Sequence, residues 1–234
     1  PRVVRCAFAP AFPTQSYFHS FGLAGSGNDY RYLERPTPGA ANDTNAVYDM
    51  ILPAPQISAS RGYYSAPLSV TMSCAVADAV IRYSTNGTVP TLSTGMLYTQ
   101  PLTFTRTVAL RARALKAGCI PSDVITHTYL LDELPVKKTL PAICLAGDEE
   151  RDLFEPHGLM AISGGYSNWW PATSVEHYNN GTPTGRAYER SVSAELIYPH
   201  DNRNVQINAG LRTAGQGGRG TRRRGPDWSQ QTYK

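Results

Sequence analysis

Apolar and polar residues alternate most regularly in the middle of the chain. Between Leu68 and Val76, Leu68, Val70, Met72, Cys74 and Val76 alternate with Ser69, Thr71, Ser73 and Ala75. A period of two puts one side of a strand in a core and the other in water. Val80–Thr85 continues the pattern, with Ile81 and Tyr83 on one face and Arg82 and Ser84 on the other. Asn86-Gly87 follows, two residues that tolerate positive φ and so mark a tight turn. In 108–115 the order VALRARAL places Val108, Leu110, Ala112 and Ala114 toward a core, and Arg111 and Arg113 toward water. Val124–Leu131 is the last strand of the series, after turn signals at Gly118 and Pro121. Strands about ten residues apart with no helix between them predict an antiparallel Ig-like sandwich.

The ends are less regular. Tyr30–Leu33 reads as an edge strand with a proline-locked exit, because Pro36 and Pro38 fix φ and remove two donors. Helical periodicity is nearly absent. The longest helix candidate is Asp148–Phe154, whose acidic first turn suits the helix dipole. The fold class is therefore mainly β: an Ig/fibronectin-III-like antiparallel β-sandwich flanked by partial β-rich domains.

Composition narrows this picture. With 41% apolar and 17% charged residues, the chain is too apolar for a disordered polymer. No apolar run reaches the roughly 18 residues of a membrane span. The net charge of +4 arises in residues 53–131, where six basic groups face two acidic ones. Those six are scattered, unlike the concentrated patch of a nucleic-acid binder, so nucleic acid is not an expected partner. Cys6, Cys74, Cys119 and Cys144 show neither CxxC nor metal-ligand spacing, so no structural zinc site is expected. Four thiols allow three disulfide connectivities, and four free thiols fit equally well.

Candidate chemistry is sparse. Gly215–Gly220 is a glycine-rich turn whose backbone N–H groups could cradle a phosphate, with Arg219 adding charge. It lacks the Lys-Ser/Thr of a P-loop. Arg219, Arg222, Arg223 and Arg224 suit an acidic ligand or a solvated loop. Trp169 and Trp170 offer flat faces for sugar rings or for packing under a long loop, and on a strand only one would face a given ligand. The five histidines are dispersed, with no HExxH and no GxSxG elbow in the chain. An isolated strand histidine such as His127 reads as a satisfied structural residue. No catalytic residue is assigned within these 234 residues.

Three resemblances add to this reading. Residues 53–131 resemble the chitobiase/β-hexosaminidase C-terminal-type module, through Gly62-Tyr63-Tyr64, Ile81–Gly87, Pro90-Thr91, Pro101-Leu102, Leu110–Ala114, Pro121-Ser122 and Thr128-Tyr129. That resemblance implies a non-catalytic accessory domain. Residues 1–42, ending in 36–42 (PTPGAAN), resemble the C-terminal end of a bacterial lamin-tail-type domain, and 43–52 read as a linker. Residues 132–234 resemble the opening of a CotH-type, kinase-like domain, through 140–145 (LPAICL), 189–196 (ERSVSAEL) and 208–212 (NAGLR). The resemblance implies Mg-ATP as cofactor of a complete CotH-type protein, with Gly217, Gly218, Arg219 and Lys234 near phosphates and the catalytic carboxylates beyond Lys234. Gln230-Gln231 stand where that family often has a basic pair. Together the resemblances imply an internal piece of a larger secreted or cell-envelope protein. Its expected partners are neighbouring domains of the same chain and polysaccharide or protein at the cell surface.

Overall fold

The computed structural model describes residues 8, 11–15, 19–25, 29–153, 158–159, 189–200 and 203–212. The chain opens with β1 (Ser20–Leu23), β2 (Tyr30–Leu33) and β3 (Val47–Tyr48). These form an antiparallel sheet in the order β1-β2-β3. Tyr30–Leu33 is thus the central strand rather than an edge. The two prolines stop the strand but not the sheet. The chain turns at Thr37–Ala40, where the Ala40 N–H reaches Thr37 O at 3.1 Å, and returns to pair Val47 with Leu33. Asn42 secures the loop by donating from Nδ2 to Leu23 O at 2.7 Å.

The stretch expected as a linker is held against the next unit. Asp49 N donates to Gly118 O at 2.9 Å, and Leu52 N to Ile120 O at 3.0 Å. Leu52 is buried beside Ala114 and Cys119, a burial that contributes about 2 kcal/mol.

The sandwich then follows with β4 (Gln56–Ile57), β5 (Gly62–Tyr64), β6 (Leu68–Val70), β7 (Met72–Ser73), β8 (Val80–Ser84), β9 (Met96–Leu97), β10 (Leu102–Phe104), β11 (Val108–Leu115) and β12 (Ile125–Leu131). One sheet runs β5-β12-β11-β8-β9, with β5 parallel to β12 and the other pairs antiparallel. The facing layer is made of β10-β6 and β4-β7. The strand expected over Leu68–Val76 is cut at Thr71, and its halves pair with different partners. Its inside-outside alternation nevertheless survives, with Val70 and Met72 buried between exposed Ser69, Thr71 and Ser73. The core gathers Val70, Met72, Ile81, Leu110, Ala112, Tyr129 and Leu131. Tyr129 is fully buried, stacks on Phe104 and donates its hydroxyl to Ala59 O at 3.0 Å. Burial raises its phenol pKa.

The Asn86-Gly87 turn forms with positive φ at Gly87. It opens a long β8–β9 connection rather than a two-residue hairpin, and Asn86 Oδ1 accepts from Thr88 Oγ1 at 2.8 Å.

A second antiparallel sheet follows: β13 (Ala142–Ala146), β14 (Arg190–Ile197) and β15 (Val205–Leu211), in that order. Each strand falls on one of the three motifs quoted for residues 132–234. The helix expected at Asp148–Phe154 is a single wide turn over Glu149–Leu153, in which Leu153 N reaches back five residues to Asp148 O. The polar face of this sheet carries Ser193, Glu195 and Gln206, and it packs on the sandwich. The other face presents Ile143, Leu145, Val205 and Ile207, all exposed. No described helix is long and apolar enough to cross a membrane.

Candidate functional site

The register of the central sheet decides what meets the second sheet. Arg111 pairs with Ser84 on one side and Thr126 on the other. These residues, with Thr128, share the face turned away from the sandwich core, because side chains alternate along a strand. The alternation of VALRARAL thus put Arg111 and Arg113 on the correct side, but that side is not water. Arg111 is 3% exposed, and Arg113 is half-buried. The β13-β14-β15 sheet and the Glu149–Leu153 turn cover this face and exclude water from it. Arg111 donates from Nη1 to Gly87 O. Burial lowers its pKa, while nearby Asp152 and Asp148 oppose that shift. Asp152 is itself clamped by Arg151, at 3.0 and 2.8 Å. Arg113 Nε donates to Ser122 O at 2.6 Å. Arg111 Nε and Thr126 Oγ1 are buried without a partner among the described residues.

Glu195 is the main polar contact between the two sheets. Its side chain is fully enclosed. The parallel strand β5 pairs with β12 only from Tyr129 onward. One residue earlier, the Thr128 N–H is taken by Glu195 Oε1 at 3.1 Å, and Thr128 Oγ1 donates to Oε2. Arg61 Nε lies 3.4 Å from Oε1. A buried carboxylate therefore replaces a missing rung of the sheet ladder. Burial pushes its pKa up, and the Thr128 hydrogen bonds and Arg61 oppose this. The neighbouring Cys144 thiol is pushed up to about 11, by burial first and by Glu195 second. Cys74, Cys119 and Cys144 are free thiols. Cys6 lies outside the described residues.

Above Glu195 an open cleft of about 490 Å³ is lined by Ser60, Arg61, His127, Asn204 and Gln206. Each wall is fixed. Asn204 Nδ2 donates to Arg61 O at 3.2 Å, and its Oδ1 accepts from Tyr198 N at 2.7 Å. Gln206 Nε2 donates to Ser193 Oγ and Asn208 Oδ1, both at 3.0 Å. His127 Nδ1 contacts Ala59 O at 2.8 Å. A carbonyl only accepts, so Nδ1 carries the proton and Nε2 is a bare acceptor. The structural role expected for His127 is present at Nδ1, but its ring also lines the cleft. A second cleft of about 450 Å³ lies along Glu189–Ser191 and Asn208–Gly210.

Burial lowers the His127 pKa below its ordinary 6.5. The unfolded chain then takes up a proton before the folded chain does. Stability from this group is complete above pH 6.5 and is lost as pH falls through the folded value. In urea titrations, the stability difference between wild type and His127→Gln should shrink as pH drops below 6.5. A difference that stays flat down to pH 5 would show that His127 is not buried as described.

The residues singled out from sequence for phosphate (Gly217, Gly218, Arg219, Lys234) and for sugar stacking (Trp169, Trp170) lie outside the described residues. The cleft was not legible in advance. Its five lining residues come from stretches up to about 145 positions apart, and none of them forms a local motif. Among the described residues, no group of three His, Cys, Asp or Glu side chains could hold a metal ion.

The family model of the chitobiase/beta-hexosaminidase C-terminal domain matches residues 59–126. The match lies inside the expected 53–131 module and bears on neither flank. No curated protein and no solved structure matches the chain.

Proposed function

We propose that the chain is a non-catalytic β-sandwich module that holds its neighbouring segments in fixed positions, near polysaccharide, within a larger secreted or cell-surface protein. The observation that carries this reading is the Glu195–Thr128–Arg61 cluster, which fastens the following sheet to the sandwich through a fully enclosed carboxylate. On the other side, residues 49–52 are bonded to 118–120. A module that only tethered its neighbours would leave such linkers solvated. The family match at residues 59–126 supports the carbohydrate-associated part of the proposal. The flanks are proposed to be a lamin-tail-type end and the opening of a CotH-type domain. For the latter, the support is that its three motifs each fall on one strand of a single sheet.

Native-state hydrogen exchange tests the rigid attachment. The amides of β12 and β14 should open with a common free energy, as one cooperative unit. Free exchange of β14 beside a protected β12 would contradict the proposal.

A further inference from the structure

We infer that the cleft between the sandwich and the second sheet is a binding site for an acidic saccharide, a sugar unit bearing one carboxylate. The inference rests on the polysaccharide part of the reading above and specifies its ligand. Arg61 is held from two sides: Nε beside buried Glu195 at 3.4 Å, and its carbonyl by Asn204 at 3.2 Å. Its side chain keeps 12% exposure at the cleft wall, and its Nη groups have no protein partner among the described residues. A guanidinium whose Nε lies beside Glu195 still presents its paired Nη donors, the geometry that a carboxylate accepts bidentately.

The remaining walls supply what hydroxyl groups need. His127 Nε2 accepts, and Gln206 Oε1 accepts because its amide nitrogen is already committed. Ser60 lines the cleft with a hydroxyl that can do both. Sugar hydroxyls each donate and accept, so this mixed set suits them. Among the described residues, the lining holds no large apolar side chain, which disfavours a lipid or a nucleobase. Among the described residues the lining supplies one guanidinium, whose two Nη groups match the two oxygens of a carboxylate. The cleft is open rather than sealed, which suits one unit of a longer polymer.

Isothermal titration of the full chain with trigalacturonate and with neutral chitotriose tests the inference. Trigalacturonate should bind with Kd of about 1 mM or tighter, and chitotriose at least tenfold more weakly. Gln206→Ala and the paired Arg61→Gln/Glu195→Gln change should each weaken trigalacturonate binding about tenfold, the loss of one charge-assisted or neutral pair. The paired change leaves no buried charge unmatched. Gln206→Ala removes a hydrogen bond to buried Ser193 but leaves Arg61 and Glu195 in place, and the urea midpoint of each variant checks that it is folded before titration. Trigalacturonate binding that ignores both variants overturns the inference. Stronger binding of chitotriose overturns it while leaving the polysaccharide reading intact. No binding of either sugar overturns it too, and the rigid-attachment proposal is then judged by hydrogen exchange alone.

Discussion

Glu195→Ala should destabilise the chain by about 3–5 kcal/mol, the cost of breaking a buried ionic and hydrogen-bonded group by removing one partner. The truncation strands the Thr128 N–H and the Thr128 hydroxyl in a buried space and takes the anionic partner from the largely buried Arg61 guanidinium. Glu195→Gln should cost only about 1 kcal/mol, because the amide still accepts from Thr128. The two variants also separate in pH. Folding raises the Glu195 pKa above its ordinary 4.5, so the folded chain holds its proton longer than the unfolded chain. Stability from this group is therefore present below pH 4.5 and is lost as pH rises through the folded value. The groups facing it are Arg61, Thr128, Tyr129 and Cys144. Measured against Glu195→Gln in urea, wild type should lose ground as pH climbs from 4.5. A flat difference would mean that the carboxylate is solvated.

The second large effect is expected at Gly87. Its φ of +82° is left-handed, a region costly for any residue with a Cβ. A Cβ there would also lie 1.7 Å from Gly147 O and 2.6 Å from Gly147 C, both backbone atoms of the segment after β13. Backbone cannot swing aside as a flexible side chain can. Gly87→Ala should therefore cost about 3 kcal/mol, combining strain and displacement. Gly39→Ala is the control. Its φ is +78°, and an added Cβ would meet nothing within 4 Å, so only the strain of about 1 kcal/mol should appear. Equal losses in the two variants, read from urea midpoints, would contradict the apposition of Gly87 and Gly147.

Gly87 and Arg111 show what the sequence reveals and where it stops. Periodicity located β8 and β11 and assigned their faces, because alternation is a local property of the pleat, and turn signals with β-branched residues located β12. It placed Arg111 opposite the core and inferred water there. Whether that second face meets solvent depends on residues 142–211, which no local pattern around Arg111 can report. Glu195 illustrates the same limit from the other side. In 189–196 (ERSVSAEL) it alternates with Val192, Ala194 and Leu196 as an outward charge would. Yet the polar face of this sheet is the packed one, and much of the apolar face is exposed. Tyr30–Leu33 was legible as a strand. Its central position was not, because the pairing strand is two residues long and arrives after the prolines. The cleft needed all of these placements at once.

A double-mutant cycle between Glu195→Gln and Thr128→Val tests most directly whether the sandwich and the following sheet form one fastened unit. Both substitutions keep the side-chain volume nearly unchanged. Thr128→Val deletes the hydroxyl that donates to Oε2, and Glu195→Gln removes the charge that strengthens this bond, so the cycle reads the charge-assisted hydroxyl–carboxylate contact while the Thr128 N–H keeps an acceptor. The account predicts a coupling energy of about 1–3 kcal/mol in urea unfolding, as for residues in direct contact. Additivity within about 0.5 kcal/mol, the behaviour of distant sites, would mean that Glu195 does not reach Thr128 and that the two sheets are not fastened there.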